Sequence, residues 1–168
     1  MNEGLLLARL VFGLVMAAHG SQKLFGWFGG YGIAGTGGFF EGLGFRPGKL
    51  FAAAAGLGEF FGGLLIATGF LGPIGPALVL SVMTVAMITV HWKNGLFAQN
   101  NGVEVPLLYS AAAVALALTG FGAFSIDAII GIAASPLFIS AALVAGIIGG
   151  LVALATRSVS AEAQSSAQ

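Results

Sequence analysis

Three side chains in an otherwise apolar chain are of the kind that does chemistry: Glu59, His19 and His91. Glu59 lies in a glycine-rich stretch, residues 52–69, and no other charge occurs between Lys49 and Lys93. A single carboxylate in a segment long enough to cross a bilayer must be paired, protonated or turned toward a polar cavity, because hydrocarbon offers it no partner. An imidazole changes charge near neutral pH, so His19 and His91 could relay protons or hold a polar head group. Gln22 and Lys23 add an amide and an ammonium about a turn beyond His19. Arg9 interrupts the first apolar run and, exposed to lipid, would be costly, so it is expected to face the protein interior.

The composition says what kind of scaffold carries these groups. The 168 residues are 58% hydrophobic and 7% charged, with a mean hydropathy of +1.01, far from the roughly 25% charged residues of soluble domains. The reading is an all-α integral membrane protein with one membrane domain, since a crossing needs about 20 apolar residues. A net charge of zero with dispersed basic residues argues against a nucleic-acid partner. Without cysteine the chain can supply no disulfide, thiolate metal site or iron–sulfur cluster, and no metal site is expected. The N-terminal stretch carries Glu3 where a secretory signal would be basic, and it is read as a retained helix.

Hydropathy and turn residues predict helices at about 5–24, 50–71, 74–92 and 105–121. A further hydrophobic helix is expected within 128–157, where Ser135 would cap and Pro136 would open its main part. Asp127 could cap the segment after Gly122. Residues 158–168, polar and small, are expected to form a disordered tail. Between the first two helices, residues 25–49 contain ten glycines among Trp27, Phe28, Tyr31, Phe39, Phe40 and Phe45. That composition suits the aromatic zone at a membrane surface, either flat or re-entrant. Gly30, Gly32 and Gly35 match a dinucleotide-binding spacing, but no strand precedes them and the match is read as chance. Gly58 and Gly62 have the spacing that lets helices approach closely in lipid.

With five crossings, Lys23, Arg46, Lys49, Lys93 and Arg157 all fall on one side, which the positive-inside rule makes cytoplasmic, with the N-terminus outside. At about 1.5 Å per residue, Glu59 lies roughly 15 Å from this basic side, counted from Lys49, and Arg9 roughly 22 Å, counted back from Leu24. Two side chains can bridge such a difference in level, which predicts a structural Arg9–Glu59 ion pair. His19, Gln22, Lys23 and His91 would gather above Glu59 as a polar column suited to binding a head group or moving a proton. The plainer reading is a buried ion pair with two interfacial histidines. A haem held between His19 and His91 is not expected, because similar depth does not place two axial nitrogens across one macrocycle.

Four ordered motifs carry a resemblance: His19-Gly20-Ser21-Gln22-Lys23-Leu24-Phe25-Gly26, Gly58-Glu59-Phe60-Phe61-Gly62-Gly63, Thr89-Val90-His91-Trp92-Lys93-Asn94-Gly95-Leu96-Phe97, and Glu104-Val105-Pro106-Leu107-Leu108. Over about residues 5–127 the chain resembles the DoxX family of small bacterial membrane proteins. The resemblance implies a DoxX-like four-helix transmembrane bundle in the cytoplasmic membrane, to which this chain adds a fifth transmembrane helix. It also implies a link to quinone-dependent redox systems, which suggests a membrane subunit or accessory of a quinone-linked oxidoreductase with quinone as a ligand. Other membrane subunits or a second copy would be its partners, besides the bilayer. The alternative is a non-enzymatic small-molecule permease or a structural accessory of a larger complex, motivated by the lack of a nucleophile constellation or soluble catalytic domain.

Overall fold

The computed structural model describes residues 2–158, which are helical apart from turns and contain no strand. The helices are α1 (Asn2–Phe25), α2 (Gly32–Gly42), α3 (Gly48–Thr68), α4 (Ile74–Ala86), α5 (Glu104–Thr119), α6 (Ile126–Ile130) and α7 (Pro136–Ala155). A π-helical turn, Met87–His91, and a 3-10 turn, Trp92–Asn94, extend α4. Four of these segments are long and apolar enough to cross a membrane: Asn2–Phe25, Gly48–Thr68, Ile74–Asn94 and Pro136–Ala155. The 16 residues of α5 rise only about 24 Å, yet the helix runs the length of the bundle. It leaves the loop at Asn101 beside His91 and arrives at Phe121 beside Gly69. Of the expected tail, all but Ser158 lies outside the described residues.

Local chemistry sets the helix limits. Pro73 and Pro76 open α4 and Pro106 sits in the first turn of α5, positions where a missing N–H costs nothing. Ser135 accepts the Phe138 N–H at 3.2 Å, with Pro136 in the first turn of α7. Gly69, at φ +67°, ends α3, and the Phe70 N–H reaches back to the Leu65 carbonyl at 2.9 Å.

Small residues hold the bundle together. α1 and α3 run antiparallel with backbones almost touching: a Cβ on Gly13 would lie 2.5 Å from both the Gly63 oxygen and the Ala67 nitrogen, and one on Gly20 would strike Phe60. In lipid such close approach replaces the hydrophobic drive that operates in water. α7 packs on α4 in the parallel sense, Gly146 against Ala77 and Gly150 against Ser81. Met16, Ile66, Val79, Met83, Ala113 and Leu116 fill the centre. Leu14, Leu57, Phe61, Leu118, Ile148 and Val152 are exposed around it, a surface matched to acyl chains.

The aromatic-rich stretch after α1 contains a real helix. α2 packs along the start of α3, where the bare Gly48 backbone meets Gly37 and the Glu41 carboxylate accepts the Gly48 N–H at 3.2 Å. Arg157, just past α7, donates from Nε to the Leu43 carbonyl and lies 6.0 Å over the Phe45 ring, so the C-terminal end of α7 meets the end of α2. Five of the six Lys and Arg residues of the chain, all but Arg9, thus belong to this end of the bundle or the connections flanking it.

Candidate functional site

Glu59 sits on the face of α3 toward α1, with its side chain 3% exposed and paired with the Lys23 ammonium. The expected Arg9–Glu59 ion pair does not form. Leu24 lies against Gly56, whereas counting both helices from one membrane plane had set it level with Lys49. α3 begins some two turns farther out because α2 packs along its start. Glu59 is therefore level with Gly20 to Lys23, and Arg9 with Ala67 to Gly69, roughly 12 Å farther along the helix.

Arg9 instead donates Nη1 to the Ala67 carbonyl at 2.8 Å and Nη2 to the Phe124 carbonyl. It is 2% exposed, and its Nε is buried with no partner among the described residues. Asp127, expected as a helix cap, works on the same turn from the other side. Its carboxylate accepts the Leu71 N–H at 3.0 Å and the Gly72 N–H at 2.7 Å, while Ser125 caps α6 by accepting from Ala128 at 3.2 Å. Leu71 and Gly72 have φ of +60° and +51°, a backbone that needs such anchoring at the non-glycine position. These two buried charges tie the α3–α4 turn to the segment before α6.

Glu59 and Lys23 border open space. A cavity of about 630 Å³ lies between α3, α4 and α7 under the aromatic end of α2. Its polar groups are Lys23, Glu59, Ser81, Thr89, His91 and Asn101, and its walls include Phe39, Phe40, Phe45, Phe51, Val82 and Val85. The volume lies within the range that takes one small molecule, and the mix of apolar walls with a few convergent polar groups is typical of ligand sites. A second cavity of about 560 Å³, lined by Gln22, Gly30, Tyr31 and Thr36, shares Lys23 and Phe39 with the first.

His91 ends the π turn and places Nδ1 2.8 Å from the Asn101 carbonyl, so Nδ1 carries the proton and Nε2 is the ring nitrogen left to accept one. In this turn the Trp92 N–H reaches five residues back to Met87. Thr89 bonds the Val85 carbonyl at 2.8 Å. His19 lines neither cavity. Its ring meets Tyr109 edge-on at 6.0 Å, and its Nδ1 is 3.2 Å from Gln22 Oε1. Gln22 donates its amide to the Phe28 carbonyl, also at 3.2 Å. The structure therefore brings Glu59, Lys23 and His91 to one cavity, places Gln22 in the adjoining one, and leaves His19 behind Gln22. Among the described residues no cluster of His, Asp or Glu is placed to hold a metal ion.

Several lining residues escaped the sequence reading. The aromatic run from Phe39 to Phe45 reads as interfacial, and only the fold of α2 over α3 shows that it roofs a cavity. Asn101 reads as a turn residue, although the polarity of its loop was a signal that His91 would find a partner there.

An all-helical bundle with several bilayer-length apolar segments and a lipid-matched surface defines a multi-pass membrane protein in contact with the bilayer. The DoxX family profile matches residues 4–92, more than half of the chain, and the chain belongs to that family. The matched region runs from α1 through the His91-Trp92 end of α4 and includes Lys23, Glu59 and His91. Comparison with curated proteins and with solved structures gave no match.

Proposed function

We propose that the protein binds a quinone-type head group in the cavity bordered by Glu59, Lys23 and His91 and serves a quinone-linked redox system as a membrane subunit or accessory. One observation carries this reading: an ion pair whose carboxylate is buried and a histidine whose Nε2 has no partner among the described residues converge on a cavity whose walls are mostly aromatic and aliphatic. Lys23 supplies a donor to a ring carbonyl, and the apolar walls hold a flat ring and exclude water. A quinone takes up two electrons and two protons when reduced, and the electrons would come from a partner protein. His91 can take a proton on Nε2 while Nδ1 stays bonded to Asn101, so it can deliver that proton without reorienting. Glu59 holds Lys23 in place and balances its charge.

The proposed location is the bacterial cytoplasmic membrane, with the N-terminus outside and the C-terminus inside. The gathering of five of six basic residues toward one end of the bundle supports that orientation. A permease reading draws on the second cavity, which meets the first at Lys23 and Phe39 and would extend it into a path. The test titrates the detergent-purified protein with decylubiquinone and follows tryptophan fluorescence, Trp92 being next to His91. Saturable quenching that Glu59→Gln abolishes is expected; absence of saturable binding by the wild-type chain overturns the quinone reading. Solute flux through reconstituted vesicles that depends on Glu59, without decylubiquinone binding, would support the permease.

A further inference from the structure

α3 and α7 both pack on α4 but make little contact with one another, and the cavity is the gap between them. Gly149 and Ala153 supply its α7 wall, from a helix beyond the region matched by the family profile. The glycines of α7 do two different jobs. Gly146 and Gly150 carry the seam with α4: a Cβ on Gly146 would lie 2.5 Å from the Ala77 oxygen, and one on Gly150 2.7 Å from that of Ser81. A Cβ on Gly149 would meet only the Ser81 hydroxyl, at 3.2 Å, so close backbone packing does not demand glycine there. Next to them, Ile148 and Val152 are large and more than half exposed. The end of α7 is held separately, because Arg157 and the Ser158 N–H bond to the carbonyls of Leu43 and Gly44. Leu43 itself lines the cavity.

We propose that α7 is a working wall of the binding site and that Gly149 and Ala153 set the width of the apolar part of the ligand. The polar head belongs on the α3 side, where Lys23 and Glu59 are, and the apolar body extends toward α7, where the smallest side chains leave a slot. This rests on the quinone-type reading and deepens it: the ligand class is a flat-ringed molecule with one slender apolar chain, and branched or bulky bodies are excluded by α7. A larger residue at 153, which lines the cavity, would narrow the slot from the α7 side.

The chain contains no cysteine, so a single introduced thiol reports alone. Val85→Cys places one on the α4 wall of the cavity, and its rate of alkylation by N-ethylmaleimide in the purified full-length protein reads access to the cavity with no assumption about quinone. Adding Ala153→Val, Ala153→Leu or Ala153→Phe should slow alkylation progressively, by an order of magnitude at Phe. Val152→Phe, on the exposed face, should leave the rate unchanged. Equal rates for Ala153→Phe and Val152→Phe would overturn the proposal. Should Ala153→Phe not elute as a monodisperse protein, the Val and Leu variants decide, and a flat rate across them is equally fatal. Decylubiquinone affinity measured on the same series should fall in the same order. If alkylation follows the series while wild-type protein binds no decylubiquinone, the α7 wall stands and the quinone reading fails. If wild-type protein binds it and all α7 variants match wild type in both measurements, the quinone reading stands and the wall falls.

Discussion

At one end of the bundle Arg9 and Asp127 bind backbone carbonyls and amides on elements far apart in the chain; at the other, Glu59 and Lys23 bind one another and border a cavity. Both sets are ionisable groups in a chain that is 7% charged. The difference lies in what each group would lose on substitution. Removing Arg9 strands the buried Ala67 carbonyl and frees the partly buried Phe124 carbonyl, whereas removing the Glu59 charge leaves Lys23 free to turn toward the second cavity it already lines. A charge held by backbone groups acts as structure. One held by a single mobile partner beside open space remains available to a ligand.

The contrast can be broken by measuring stability and binding on the same variants. Arg9→Met should cost the most stability, roughly 3 kcal/mol or more, since two hydrogen bonds to a charged group are worth about 1.5–3 kcal/mol each. It should leave decylubiquinone binding intact in whatever fraction stays folded, and denaturant unfolding in mild detergent gives the comparison. Asp127→Asn keeps one acceptor for the Leu71 and Gly72 amides, so a loss of about 1–3 kcal/mol is expected. A thermal midpoint indistinguishable from wild type would remove Asp127 from the structural set. Glu59→Gln should cost less stability than Arg9→Met, because Lys23 is partly exposed and can turn toward the second cavity, while abolishing binding. A Glu59→Gln variant as unstable as Arg9→Met would erase the distinction between the two ends. The smallest effect is expected at His19: His19→Gln should barely change decylubiquinone affinity, His91→Gln should weaken it clearly, and the reverse order would relocate the site to the far side of Gln22.

The helical class, the bilayer-length spans and the family are legible in the sequence because each follows from composition, period and ordered motifs. So is the isolation of Glu59, the one charged side chain in the 43 residues between Lys49 and Lys93. Its partner was not legible. Counting rises from two helix ends treats those ends as coplanar, and the start of α3 is displaced by the packing of α2, a tertiary fact with no local signature. The same displacement turned Phe39 and Phe40 from expected interfacial residues into the cover of a cavity. Asp127 illustrates the converse limit. Its local setting suggests a cap for α6, and Ser125 takes that role because Asp127 is drawn to the amides of a turn 55 residues earlier.

The π turn at the end of α4 carries one residue more than an α-helical turn would, and its consequence is one of phase. Every side chain after it is rotated by about 100° from where an uninterrupted α-helix would aim it. His91 faces the Asn101 carbonyl and the cavity only because of that surplus residue. Deleting Met87 or Ile88 would leave the span apolar and every motif residue in place, yet would swing the imidazole away from its anchor. Attachment of this histidine to the site is therefore governed by the parity of a helix count as much as by the identity of any neighbouring side chain.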